Sequence, residues 1–535
     1  MIGRLASIWV WLGEVIIVAA LSAVAIYTYT NPTLHTDESY HLLCSISLNH
    51  GEGLPIIGDY PYTRAWVFSY LVAWSQGLFG FNLTAARLPA VIAAVLMVAV
   101  LFTWVRYRAG RTAGWAAALL LGLSVHTPDI AQFCRFYTLH ALMVLLASIG
   151  VFEALAPGLR LWRRFTWLLL ALPALGLAWH LQVTTAVAVA GLGTWVGLVA
   201  VWSLWTTPRL TGRTKLLSLT GLGVAAAATI GGLVASGMWD WGLRHLSWTP
   251  YWAGEHRRGV FDYHSRFAPW YQGMWYLTPL ALVLALPRHA RMALFCAVTL
   301  VVSLVMMSLS SVHALRYVFF CTPMWFTIWG LATATVCLFI YRTAVAWGDA
   351  RFTLPTARAT WRAMCILGLV LACLAAAYKT PAYWRTWRNL RHAEGDALAP
   401  WGDYESALAA IHRTQPELLD VPVILASPAA KARYFFPSKR VYLLGKSDSP
   451  DLSRDIVDAQ SLAQFVAEHE QGMIIVDQKA RFWRDPRFVT DEMADFIESS
   501  MIRLPTPKGA GVVLYRWDRD VDGQQSAADQ GPGDP

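Results

Sequence analysis

Long apolar runs recur between residues 8 and 341 and return once more over residues 364–378. Each approaches the roughly 20 residues that carry a helix across a bilayer. Inside hydrocarbon the backbone has to pair its own polar groups, so runs of this length fold as helices. That feature restricts the chain to a polytopic α-helical membrane architecture. The composition agrees, because only 14% of the 535 residues are charged and the mean hydropathy is +0.42. A soluble domain carries about 25% charged residues.

The pattern predicts about eleven crossings. They cover residues 8–27, 88–105, 113–126, 139–155, 165–178, 183–204, 216–238, 274–286, 292–309, 317–341 and 364–378. The first run, with Arg4 before it and Ala23 to Ala25 near its end, imitates a cleavable signal peptide. It is longer than a typical h-region and reads as a retained anchor. The aromatic stretch over residues 64–80 is short, and counting it as a crossing would reverse every later one. It therefore reads as an interfacial helix lying along the outer membrane surface.

The net charge of +9 does not indicate a nucleic-acid partner. Basic residues gather in short connections, such as Arg106, Arg108 and Arg111; Arg160, Arg163 and Arg164; or Arg288 and Arg291. Placing those connections inside satisfies the positive-inside rule with one topology. The amino terminus is then cytoplasmic in a multi-pass plasma (inner) membrane protein, and the region after residue 379 is extracytoplasmic. Residues 1–379 form the transmembrane domain, with an outer loop over 28–86. Residues 380–517 alternate strand-like runs ("VPVILAS", "RVYLL", "MIIVD", "GVVLYRW") with helical ones and read as a small α/β domain. Residues 518–535 are too polar and Gly/Pro-rich to fold.

This topology collects the distinctive polar segments on the outer face. They include "HTDESYH" (His35 to His41), the stretch from His126 to His140, a Trp-rich loop carrying Arg257 and Arg258, and the approach to His313 and Arg316. A transporter needs polar machinery reachable from both sides, and no internal repeat is visible. A carboxylate beside arginines at headgroup depth suits chemistry on a phosphate-bearing lipid. The carboxylate takes a proton from an acceptor hydroxyl. Arginine holds phosphate through paired charge-assisted hydrogen bonds and stabilises charge on the departing group. Arg135 and Arg316, each followed by an aromatic and then an apolar span, with Tyr137 and Tyr317 alongside, stand at the depth where a lipid phosphate has to sit. Arg257 and Arg258 would fold over it from the Trp-rich loop as a lid.

Four segments carry a family resemblance. They are "TDESYHLLCSISLNHG" after the first span, "WSQGLFGFNLTAARLPAVIAAVL" entering the second, "CRFYTLHALMVLL", and "HALRYVFFCTPMW". In this order the chain resembles the GT-C superfamily of polytopic glycosyltransferases, in the branch of the protein O-mannosyltransferases and the lipid A aminoarabinose transferases. The resemblance implies an inverting transfer from a polyprenyl-phosphate sugar to a lipid, glycan or protein acceptor. Asp37 would be the base and Glu38 its catalytic neighbour. It places Tyr40, Tyr62, Arg64 and His313 as acceptor contacts, although "GDYPYTRAW" replaces the family's "KPPL"-type stretch. No cofactor is required; a divalent metal remains open at Asp37, Glu38 and His35.

Plainer readings stand beside these. Thr36 or Asp37 would serve as an N-cap. Arg135 and Arg316 would snorkel toward headgroups, and Arg257 and Arg258 would form a solvated pair. Arg87 reads as structural. Cys44 and Cys134 fall on the same face, but their spacing does not pair them. The competing functions are an O-antigen polymerase or ligase, which lacks the early Asp-Glu pair, and a lipid-linked-sugar flippase.

Overall fold

The computed structural model describes residues 2–29, 34–51, 56–57, 60–207, 211–235, 262–309, 314–391, 402–414, 416–436, 438–445, 456–478, 483–485, 488–507 and 509–518. The amino-terminal three quarters is a helical bundle. Its helices are α1 (Ile2–Tyr27), α2 (Thr36–Asn49), α3 (Trp66–Phe79), α4 (Leu83–Ala109), α5 (Arg111–Gly122) and α6 (His126–Ala131). They continue as α7 (Tyr137–Ala154), α8 (Leu161–Leu181), α9 (Thr185–Thr206), α10 (Gly212–Ala235) and α11 (Asp262–Tyr271). The last are α12 (Thr278–Ser308), α13 (Thr322–Arg351), α14 (Pro355–Lys379) and α15 (Pro381–Arg391). Among the described residues eight helical segments are long and apolar enough to cross a membrane.

The difference from eleven has local causes. The 113–126 run is realised as α5, only 12 residues long, short of a bilayer by nearly half. The 216–238 run coincides with α10, which borders residues outside the described set. The two runs at 274–286 and 292–309 are joined in α12, which breaks at His289 (φ −134°, ψ 33°) two residues after Pro287. A straight helix would hold Thr278 and Cys296 about 27 Å apart. Yet the two contact adjacent residues: Trp325 Nε1 donates to Thr278 Oγ1 at 2.8 Å, and Cys296 Sγ lies 3.8 Å from Met324 Sδ. The chain folds back at this break, and Arg288 and Arg291 sit beside the bend.

α3 is 14 residues, too short to span. Trp66, Tyr70, Trp74 and Leu78 form an exposed stripe at helical spacing, while Phe68, Ser69, Val72 and Gln76 face inward. The chain enters α3 through Ala65, whose φ of +51° is left-handed. For a residue with a Cβ that costs about 1–2 kcal/mol, so packing has to hold it; Ala65 is fully buried.

The carboxyl-terminal part is an α/β unit with a five-stranded sheet. β1 (Ile56–Ile57) and β2 (Tyr60–Pro61) form a small ribbon in the earlier loop; β3 (Val423–Ser427), β4 (Arg440–Leu443), β5 (Gln471–Asp477), β6 (Ile502–Arg503) and β7 (Val512–Asp518) form the sheet, in the order β4-β3-β5-β7-β6. β4, β3 and β5 run parallel, and β7 is antiparallel to β5 and β6. β3 is buried along its whole length and β5 everywhere except Gln471, as expected for strands covered on both faces. The expected strand runs all lie in this sheet. Helix α17 (Ala429–Phe435), which follows α16 (Tyr404–Thr414), leads out of β3 and packs on α2, with Tyr434 and Phe435 against the bundle core.

Candidate active site

α2 starts at the segment that the sequence singles out. Its N-cap is His35, one residue before the expected Thr36 or Asp37. The His35 ring nitrogen Nδ1 accepts the Asp37 N–H at 2.8 Å, and Glu38 Oε2 accepts the His35 N–H at 2.9 Å. This is a capping box with histidine in the usual Ser/Thr place. Burial pushes the His35 imidazole down to about 4, against the pull of Asp37. It is therefore neutral and able to accept.

Glu38 is fully buried. Arg87, at the start of α4 and 4% exposed, donates from Nε to Oε1 and from an amino nitrogen to Oε2, both at 2.8 Å. The Cys134 N–H adds a third contact to Oε1 at 2.6 Å. Glu38 thus ties α2, α4 and the α6–α7 turn together. With both oxygens engaged, it serves as an anchoring group beside Asp37. The same occupancy argues against a metal at His35, Asp37 and Glu38, because His35 Nδ1 is also in use. Among the described residues no group of three or more His, Cys, Asp or Glu side chains is arranged to hold a metal ion.

Asp37 points elsewhere. Its Oδ2 lies 3.3 Å from an Arg316 amino nitrogen, and Arg135 donates to the Asp37 backbone carbonyl at 3.0 Å. Arg135 also reaches the Tyr62 hydroxyl at 3.4 Å. Burial alone would raise the Asp37 carboxyl. The combined effect of His35, Arg316, Arg135 and Arg64 instead holds it well below the usual carboxylate range.

Aromatic rings frame both guanidinium groups. Arg135 lies over Phe136 and Tyr137, and Arg316 over Tyr317 and Phe133. The Tyr137 and Tyr317 rings meet edge to face at 6.0 Å. Among the described residues, Arg135 Nε, Arg316 Nε and the Tyr137 hydroxyl are buried without a hydrogen-bond partner. Since Glu38 is matched by Arg87, Asp37 is left opposite Arg64, Arg135 and Arg316. A surplus of positive charge with unfilled donors is a site built for an anion.

Tyr40 stacks on Tyr62 at 5.9 Å, and burial with the nearby Asp37 charge pushes its phenol up to about 12. Arg64 is held by Gln182 Oε1 at 3.0 Å and lies over Phe136. The structure therefore gathers Asp37, Tyr40, Tyr62, Arg64, Arg135, Tyr137, Arg316 and Tyr317. Arg257, Arg258 and His313 lie outside the described residues. Cys44 and Cys134 are buried free thiols; Cys134 Sγ contacts the Ala86 carbonyl at 3.2 Å.

Sequence reasoning assigned Arg87 only a structural part and did not pair it with Glu38. It also missed Gln182, the Cys134 N–H and the approach of α17. No local pattern signals partners 49 or 96 residues apart; only the arginine in "TAARLP" was a visible cue.

No family model and no curated protein sequence matches the chain. Solved structures do. ArnT from Cupriavidus metallidurans in the apo state superposes with a TM-score of 0.61 at 15% identity, over 96% of this chain and 99% of that one. The same protein bound to undecaprenyl phosphate gives 0.58 at 14% identity, over 95% and 98%. The oligosaccharyltransferase AglB from Archaeoglobus fulgidus, in complex with an inhibitory peptide and a dolichol-phosphate, gives 0.56 at 12% identity, over 89% and 70%. The chain has the GT-C fold of these polytopic membrane enzymes.

Proposed function

We propose that the protein is a membrane glycosyltransferase that moves a sugar from a polyprenyl-phosphate donor to a hydroxyl or phosphate acceptor. The transfer takes place with inversion on the outer face of the membrane. One observation carries this reading: an ionised carboxylate, Asp37, stands among arginines whose buried Nε donors are unfilled. Neighbours in fold hold lipid phosphates, undecaprenyl phosphate in one case and dolichol-phosphate in another. The positive-inside pattern supports a cytoplasmic amino terminus and places the α/β unit outside.

In this mechanism Arg135 and Arg316 grip the donor phosphate. The acceptor oxygen attacks the anomeric carbon while its proton passes to Asp37. The bond from that carbon to the phosphate oxygen breaks with its electron pair on the phosphate, and the arginines stabilise the added charge. Glu38 and Arg87 hold the base and the α6–α7 turn in register. Tyr40, Tyr62 and Arg64 line the approach for the acceptor, and Tyr137 and Tyr317 wall the phosphate.

The purified protein, supplied with a polyprenyl-phosphate sugar and an envelope acceptor fraction, should release polyprenyl phosphate. Asp37→Asn should lower that rate by about 10²- to 10⁴-fold, the usual range for a lost general base, with membrane insertion retained. Near-normal turnover by Asp37→Asn would return Asp37 to the helix start as a structural residue.

A further inference from the structure

Asp37 and Arg316 touch through one pair of atoms, at 3.3 Å, and their side chains remain 29% and 28% exposed. The Arg87–Glu38 pair one residue away is bidentate and buried. The two pairs are built for different purposes. The second is permanent; the first is long, single and open to an incoming ligand. Arg135 bonds the Asp37 backbone carbonyl rather than its carboxylate, on which it acts through its charge. It can stay in place while the Asp37 side chain changes partner. Beside the contact lie the unfilled donors of Arg316 Nε, Arg135 Nε and Tyr137.

Asp37 therefore has two tasks that conflict. It is the counter-ion of an arginine that has to hold the donor phosphate, and it has to accept a proton. A guanidinium fork prefers two oxygens at once, and a phosphate offers them where Asp37 offers one. We propose that in the donor-free protein Arg316 holds Asp37 as an internal counter-ion, and that the donor phosphate takes over Arg316 and releases Asp37 to act as base. This rests on the donor reading given above and adds an order to it, donor before acceptor.

The electrostatics run the same way. A carboxylate held far below its ordinary range is a poor proton acceptor, and an anion bound to the neighbouring arginines cancels part of the field that depresses it. After transfer, lipid phosphate leaves with the electron pair of the broken carbon–oxygen bond, and Asp37 carries the acceptor's proton. Departure of the lipid phosphate lets Asp37 lose that proton to water and return to Arg316. Each turnover thus resets the lock.

The test is equilibrium binding of undecaprenyl phosphate to the purified full-length protein in nanodiscs, with neutral undecaprenol as the control lipid. Asp37→Asn removes the competing charge and should bind undecaprenyl phosphate about tenfold more tightly than wild type, while transfer is lost. Asp37→Ser should gain likewise, and Asp37→Glu, which keeps the charge, should not. In an Arg316→Gln background the gain from Asp37→Asn should vanish, since the contact is already gone. Thermal midpoints confirm that each variant is folded. Unchanged or weaker binding by folded Asp37→Asn and Asp37→Ser overturns the lock and leaves the transferase reading standing. If wild type and both variants fail to prefer undecaprenyl phosphate over undecaprenol, the donor reading itself falls.

Discussion

Replacing Arg87 with leucine tests the clamp on which the site rests. The change leaves Glu38 buried with the N–H groups of His35 and Cys134 but without its counter-charge. Breaking a buried pair from one side costs about 3–5 kcal/mol, because the remaining charge is uncompensated. The two hydrogen bonds from Arg87, both at 2.8 Å, are charge-assisted and argue for the upper part of that range. Glu38 is fully buried, so solvent cannot moderate the loss. Detergent titration in mixed micelles would read it as a lowered midpoint. The companion variant Glu38→Gln with Arg87→Met removes both charges and should recover much of the difference. Activity has a second signature: Glu38 is bonded to Asp37 in sequence, and Cys134 to Arg135, so losing the clamp moves base and phosphate ligand apart. Both kcat and donor KM should then suffer in Arg87→Leu even below its unfolding midpoint. If Arg87→Leu unfolds like wild type, the pair carries no stability and the clamp argument is refuted.

His35 titrates near 4 when folded and near 6.5 when unfolded. Between those values the unfolded chain binds more protons, so stability should fall as pH drops through that window, by up to about 3 kcal/mol; His35→Asn should flatten that part of the stability–pH curve. At Gly330 an added Cβ would stand 2.8 Å from Ala117 Cβ and 2.9 Å from the Ala113 carbonyl. Gly330→Leu should therefore pry α13 from α5 and destabilise by about 1–3 kcal/mol, and a variant as stable as wild type would show that the helices part freely. Reporter fusions after Arg111, Thr214 and Val441 should read inside, inside and outside; an inside reading at Val441 would invert the proposed placement of the sheet.

The sequence made Asp37, Arg135 and Arg316 visible for one reason. Each is a charge where a chain of this hydropathy can least tolerate one, at the edge of an apolar run. The same logic did not reveal what holds Glu38. Its actual partner comes from the start of the following span. The four expected strands stood out because their apolar runs sit in a polar region, where hydropathy contrast is high. Span ends were hardest to place where contrast was low: α5 stops at Gly122, short of the expected end at His126. The α12 break at His289, by contrast, falls within "PRHAR", between the two runs expected to cross. The approach of α17 to α2 was invisible, since nothing in "AAKARYF" names a surface more than 380 residues upstream.

At the opposite end of the bundle, Glu14 of α1 is nearly buried and faces Arg106 at 2.7 Å, with Arg111 and the Trp115 indole alongside. Glu153 of α7 meets Arg108 and the Trp104 indole in the same way. These arginines belong to the connection that the positive-inside rule counts as an orientation signal. An ionised Glu14 is costly in a lone helix, and its partners emerge some ninety residues later, at the end of α4 and the start of α5. The first helix therefore has an unfinished edge until α4 and α5 arrive beside it. The same three arginines act twice in the life of the chain, first as an address read from an extended polypeptide and later as mortar between finished helices. Neutralising Arg106 or Arg111 would then leave every loop on its proper side and still yield a bundle that fails to close.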